Sequence, residues 1–131
     1  MKLDRRTERK HVFCLTFQLA FHNETPQQIL ELYAQDHLEI LPKGFIPLSF
    51  ENIYSNLQQI DALIEKNLRD WTLARLNKVD LAILRIAVYE ITFTDTPPII
   101  VINEAVEIAK EFSSDEGPVF INGLLAGFIT E

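Results

Sequence analysis

The sequence predicts an all-α fold of about seven helices, and three observations carry that prediction. Apolar residues recur at helical spacing in segment after segment, no stretch of useful length alternates with the period of a strand, and the breaks are mostly short and marked by Pro or Gly. The chain has 131 residues, 47% of them hydrophobic, enough for one domain with a real core. Its organising stretch is VDLAILRIAVYEITF, residues 79–93, where Val79, Ala82, Ile83, Leu84, Ile86, Ala87, Val88 and Ile91 leave few polar places. Asp80, Arg85 and Glu90 point in three directions at helical pitch, so no side of this helix is wholly wet and it is expected at the centre. A charge on such a rod is tolerated when paired, and Glu104 and Glu107 on the following helix are the expected partners of Arg85.

The first helix is expected over residues 5–21. At about 100° per residue, Arg5, Arg6, Arg9 and Lys10 fall within an arc of about 140°, which Phe13 and Phe17 also enter, while Val12, Leu15 and Leu19 supply the core face. Cations for phosphates beside a ring for stacking suit single-stranded RNA; a basic first turn followed by core phenylalanines is the other reading. Thr25-Pro26-Gln27-Gln28 reads as an N-cap, a Pro at the first helical position and a capping-box Gln, opening a second helix with Ile29, Leu32, Tyr33 and Ile40. Residues 41–48, with Pro42, Gly44 and Pro47, are expected to be a loop. Ser49 is placed as the cap of a third helix with Phe50, Ile53, Tyr54, Leu57, Ile60, Ile64 and Leu68 on one stripe.

Asp70 is expected to cap a short helical turn carrying Trp71 as a core anchor and Leu73, ending near Asn77. Pro97 ends the central helix. After Pro98 a helix restarts with Val101, Ala105, Ile108 and Phe112 inward and Glu104, Glu107 and Glu111 along a flank, either a solvated face or a surface that receives a basic protein. Gly117-Pro118 fits an N-cap followed by Pro at the first helical position, and Phe120, Leu124, Leu125 and Phe128 carry the last helix. Gly123 inside it costs about 1 kcal/mol relative to Ala, which points to close helix approach or to a ligand nearby. Asn103 and Asn122 suit capping, buried hydrogen bonding or contact with RNA or a partner.

Charge narrows the function classes. The net charge is −7, yet residues 1–11 hold five cations (Lys2, Arg5, Arg6, Arg9, Lys10) against Asp4 and Glu8, a net +3 that leaves −10 for the rest. An acidic body disfavours indiscriminate polyanion binding, whereas a short basic arm holds a few phosphates at one place. No apolar run approaches the ~18 residues that span a bilayer. The absence of a signal-peptide h-region and the lone Cys14 point to a soluble protein of the cytoplasm without disulfides. No catalytic constellation is expected: His11, His22 and His37 lack metal-ligand spacing, Cys14 falls in an apolar helical stretch, and there is no phosphate loop or nucleophile elbow. Neither a metal nor a cofactor is predicted.

Three segments in order, RRTERKHVFCLTFQ, VDLAILRIAVYEI and INEAVEIAKEF with FINGLL, resemble the NusB family of bacterial transcription antitermination factors. The resemblance covers the first helix and most of the chain from Trp71 onward. It implies an all-helical protein of two roughly perpendicular halves, here about 1–68 and 69–131. It further implies a non-enzymatic factor that binds boxA RNA jointly with the ribosomal protein NusE and helps RNA polymerase read through ribosomal RNA operons. By the same resemblance, Arg5, Arg6 and Arg9 of the basic run, Phe17, and Phe120 and Asn122 with Gly123 form the RNA site, to which the basic arc adds Lys10. The resemblance also makes Asp80, expected at an exposed helix start, the best single carry-over to the surface that meets NusE, while Glu104 and Glu107 are partner candidates from the acidic row. The chain departs from the family in having Lys10 after Arg9, where relatives usually have Glu, and Pro118-Val119 before Phe120, where many have a polar or basic residue. The alternatives are the RNA-binding domain of a ribosomal RNA methyltransferase and a helical adaptor that binds only protein. A DNA-binding helix-turn-helix is disfavoured because the basic residues open the chain instead of lying on a second helix.

Overall fold

The computed structural model describes residues 3–21, 24–69 and 72–129. Among them are seven α-helices, one 3-10 turn and no strand. The helices are α1 (Arg5–Gln18), α2 (Pro26–Gln35), α3 (Phe45–Ser55), α4 (Leu57–Lys66), α5 (Lys78–Phe93), α6 (Pro98–Phe112) and α7 (Gly117–Ala126), and the turn is Leu73–Arg75. The chain divides into two compact units at Asn56 and Leu57, earlier than the division expected near residue 68.

In the first unit α1 packs on α2 and α3, and α2 packs on α3. Asp4 caps α1, its Oδ1 accepting from the Thr7 amide at 2.8 Å, and hydrogen bonds from Thr7 hold its carboxyl below the usual range. Val12, Phe13 and Leu15 are buried, together with Thr16. The Thr25 capping box is present in full: the Gln28 amide donates to Thr25 Oγ1, and the Thr25 amide donates to Gln28 Oε1 at 2.9 Å. Of the apolar positions expected on α2, Ile29 is buried, Leu32 is exposed and Ile40 lies beyond the helix end.

The third helix starts four residues before Ser49, with Gly44 at its N-cap. Pro47 is accommodated because the first-turn amides of a helix have no intrahelical partner to lose. The stripe expected from Phe50 to Leu68 is broken at Asn56, whose Nδ2 donates to the Asn52 carbonyl at 2.8 Å and closes α3 before α4 begins. Phe50 and Ile53 on one side of the break and Ile60 and Ile64 on the other are nonetheless fully buried.

In the second unit α5 packs against α4, α6 and α7, and every residue in 80–90 is buried, as expected of a central helix. Asn77 caps it, with Oδ1 accepting from the Asp80 amide at 2.7 Å. Arg85 does not pair with Glu104 or Glu107. Its Nε and Nη2 donate to Asp61 Oδ1 and Oδ2 of α4, each at 2.9 Å. Val101, Ala105 and Ile108 face the core of α6, whereas Phe112 at its end is exposed. Ile121, Leu124 and Leu125 bury the inner face of α7. A Cβ at Gly117 would overlap Ser113 Oγ and lie 2.6 Å from Ser113 Cβ, so only glycine permits this approach of α7 to the end of α6. At Gly123 no described heavy atom lies within 4 Å of the Cβ position, so the close helix approach expected there is absent. The expected cap Asp70 and anchor Trp71 lie outside the described residues.

Candidate nucleic-acid interface

The first turns of α1 bear the chain's basic run, but its four cations are not equivalent. Arg5 and Arg6 are exposed, Lys10 is half-buried and Arg9 is only 8% exposed. The expected arc of four equal cations is therefore two exposed arginines, one half-buried lysine and one packed arginine. Arg5 is further positioned by Phe45, with Cζ 3.9 Å from the ring centroid, and by a loose 3.6 Å ion pair with Glu8. The Arg5 side chain is nonetheless 53% exposed, so solvent still reaches it beside that pair.

Farther along α1 an aromatic ladder climbs out of the core. Phe13 is buried, Phe17 is half-buried and Phe21, in the turn after the helix, is 59% exposed. The Phe13 and Phe17 centroids are 6.2 Å apart, and Phe17 meets Phe21 edge-on at 5.0 Å. Phe13 is thus a core residue, as one of the two sequence readings has it, while Phe17 and Phe21 are progressively more exposed. Phe21 escaped notice although its spacing of four from Phe17 marks it.

Between α1 and α2 lies a titratable cluster. His11 Nδ1 is 2.8 Å from the Tyr33 hydroxyl and its Nε2 is 3.3 Å from Glu39 Oε2, while His37 Nδ1–H donates to the Tyr33 carbonyl at 2.8 Å and stacks on the Tyr33 ring at 4.0 Å. Burial, with His37 adding to it, pushes the His11 pKa down against the pull of Glu39 and Glu8. Burial and the neighbouring Cys14 push the Tyr33 phenol up. The cluster fastens α2 to the helix that bears the cations. Among the described residues no group of three His, Cys, Asp or Glu side chains could hold a metal ion.

The second unit carries the remaining candidates. Phe120 on α7 is half-buried, and Asn122 and Gly123 are exposed. Phe120 stands between two hollows. One, of about 300 Å³, is lined by Arg75, Leu76, Asn77, Asp80 and Glu116; the other, of about 270 Å³, by Leu68, Arg69, Val119 and Gly123. Asp80 is not at an exposed helix start, being 5% exposed. Ser113 Oγ donates to its Oδ1 at 2.6 Å and Asn77 Nδ2 to its Oδ2 at 3.1 Å. The capping geometry that starts α5 turns this carboxylate inward, so it organises the rim of a hollow. Glu107 is exposed and receives Lys110 Nζ at 3.1 Å, and Glu104 is half-buried. Asn103 is exposed. Arg69 was not anticipated, because its neighbours give no periodic signal; only the fold brings it beside Phe120.

The NusB family profile matches residues 6–130. The transcription antitermination protein NusB of Clostridium novyi is 37% identical, over 97% of this chain and 98% of its own. That of Natranaerobius thermophilus is 41% identical, over 94% of this chain and 92% of its own. Among solved structures, NusB of T. maritima superposes with a TM-score of 0.82 at 36% identity, over 98% of this chain and 92% of that one. A crystal structure of antitermination factors NusB and NusE in complex with dsRNA reaches the same TM-score at 21% identity, over 95% of this chain and 94% of that one, and shares the fold. A fit that runs from the basic helix through the Phe120 segment spans almost the whole chain, and this chain belongs to the NusB family of transcription antitermination proteins, which are not enzymes.

Proposed function

We propose that this protein binds single-stranded boxA RNA together with NusE in the cytoplasm, and that the pair joins the RNA polymerase antitermination complex to promote read-through of ribosomal RNA operons. The observation that carries the reading is the exposure of Arg5 and Arg6, with Lys10 partly open, on one helix that continues into the half-buried Phe17. The rest of the chain is acidic, so RNA is held at this place and not over the whole surface. Phosphates pair with the cations and an unpaired base stacks on a ring, which favours single-stranded RNA over a duplex whose bases are already stacked. Neither contact reads much sequence, so selectivity for boxA arises from base edges met jointly with the partner. The crystallised NusB, NusE and dsRNA assembly is the precedent for a partner of that kind.

Fluorescence anisotropy of labelled boxA RNA and a scrambled control, titrated with the protein alone and with equimolar NusE, tests the reading. Weak selective binding that tightens with NusE is the expected result. Equal affinity with and without NusE in the same salt overturns the joint mechanism, and equal affinity for both RNAs overturns boxA recognition.

A further inference from the structure

One stripe of α1 carries charge at one end and rings at the other. Arg6, Lys10, Phe13 and Phe17 follow one another at spacings of four, three and four, which keeps them on one side of the helix, and Phe21 lies four further on. The α-helix ends at Gln18, but the amides of Leu19, Ala20 and Phe21 donate to the carbonyls of Thr16, Phe17 and Gln18. The chain thus coils on for one more, tighter turn, and the Phe21 ring stays in contact with that of Phe17. No carboxylate interrupts the stripe.

Exposure falls and then rises along this row, from the open Arg6 through the buried Phe13 to the open Phe21. A solitary apolar side chain in water needs no explanation, but Phe21 is the outer member of a continuous row of rings. It meets Phe17 at 5.0 Å with 60° between the planes, an edge-on contact that braces the ring while most of the residue stays open to solvent. A ring in that setting fits a nucleobase better than a protein side chain, because the same stripe offers cations to the phosphates that accompany a base. Lys10 and Phe21 are eleven residues apart, about 16 Å at helical rise, a reach that one short single strand covers.

We propose that Phe21 is a base-stacking residue: an unpaired RNA base, on the strand whose phosphates the α1 cations hold, lies against the open side of the Phe21 ring while Phe17 braces it from behind. The proposal rests on the RNA-binding reading above and extends the site one turn past the end of α1. Phe21 contributes stacking and no charge, so it acts on affinity and leaves the salt dependence alone.

The test uses the full chain with NusE and the labelled RNA, measuring affinity at several salt concentrations alongside thermal melting. Phe21→Ala is expected to weaken binding about fivefold or more, the loss of one stacked base, with the slope of log K against log salt unchanged and little change in Tm. Arg6→Gln differs in kind, since it lowers that slope by about 1. Phe21→Trp is expected to keep wild-type affinity, and RNA is expected to quench the fluorescence of the added indole, measured as the difference from the wild-type protein. If Phe21→Ala binds as tightly as wild type while Arg6→Gln is weakened, the stacking role is overturned and the RNA-binding reading stands. If Phe21→Ala weakens association with NusE in the absence of RNA as much as it weakens RNA binding, Phe21 is a protein contact and the proposal is overturned. If the wild-type protein binds no RNA, both fall. Should Phe21→Ala melt early, the Phe21→Trp signal decides alone, and an indole that RNA leaves unquenched overturns the role.

Discussion

Arg85 of α5 and Asp61 of α4 form a two-pronged pair, Nε to Oδ1 and Nη2 to Oδ2, both at 2.9 Å. Their side chains are 10% and 21% exposed. A guanidinium on the most buried helix of the chain is thereby satisfied by a carboxylate that still touches water, which reduces the desolvation cost of the pair.

Removing only the carboxylate leaves that guanidinium buried and unpaired. Asp61→Ala is therefore expected to lower stability by about 3 kcal/mol, the lower end for a broken buried pair because Asp61 is partly wet. Replacing both partners, Asp61→Leu with Arg85→Met, is expected to recover most of the loss. Urea denaturation of the two variants checks both signs.

Two glycines on α7 are predicted to respond in opposite ways to the same substitution. Gly123→Ala is expected to stabilise the protein by about 1 kcal/mol, since the methyl meets open space and the helix gains propensity. Gly117→Ala is expected to cost about 1–3 kcal/mol, because its methyl and Ser113 cannot occupy the same space. A rise in Tm for the first and a fall for the second is the expected pair of results.

Protonation of His11 is predicted to weaken the fold at mildly acidic pH. Its folded pKa lies below the ordinary 6.5, so between the two values the unfolded chain binds the proton and the folded chain does not. Stability falls as pH drops below 6.5 and stops falling on this account once pH is below the folded value. The groups facing the imidazole are Tyr33 and His37 with Glu39 from the α2 side and Glu8 from its own helix. Chemical denaturation between pH 7.5 and about 5 should show the decline, and His11→Gln should flatten it.

Local physics was legible in the sequence wherever partners lie within a few residues of each other. The Thr25 capping box, the Pro98 start of α6 and the apolar density of residues 79–93 are patterns of that kind, and the structure has all three. The helical period over residues 50–68 was legible too, but the break inside it was not. Asn56 closes α3 with one side-chain bond to Asn52, a choice that periodicity does not record. Pairings set by tertiary packing were out of reach. Asp61 and Arg85 are 24 residues apart, and an acidic row on α6 was the nearer candidate. The site shows the same limit. The helical wheel placed Arg9 with Arg5 and Arg6, and the packing of the first unit then covered it. Asp80 turned inward because Asn77 and Ser113 both donate to it. Arg69 became visible only when the end of α4 and α7 came together.

The central claim is that cations on the first turns of α1 hold RNA phosphates, and the salt dependence of RNA affinity tests it most directly. With NusE present, log K against log salt is measured for the wild-type protein, Arg5→Gln and Arg6→Gln, with melting curves to verify the fold. The account predicts that each variant keeps its Tm, binds more weakly at low salt and loses about 1 from the slope. Unchanged affinity and slope in both variants would contradict it.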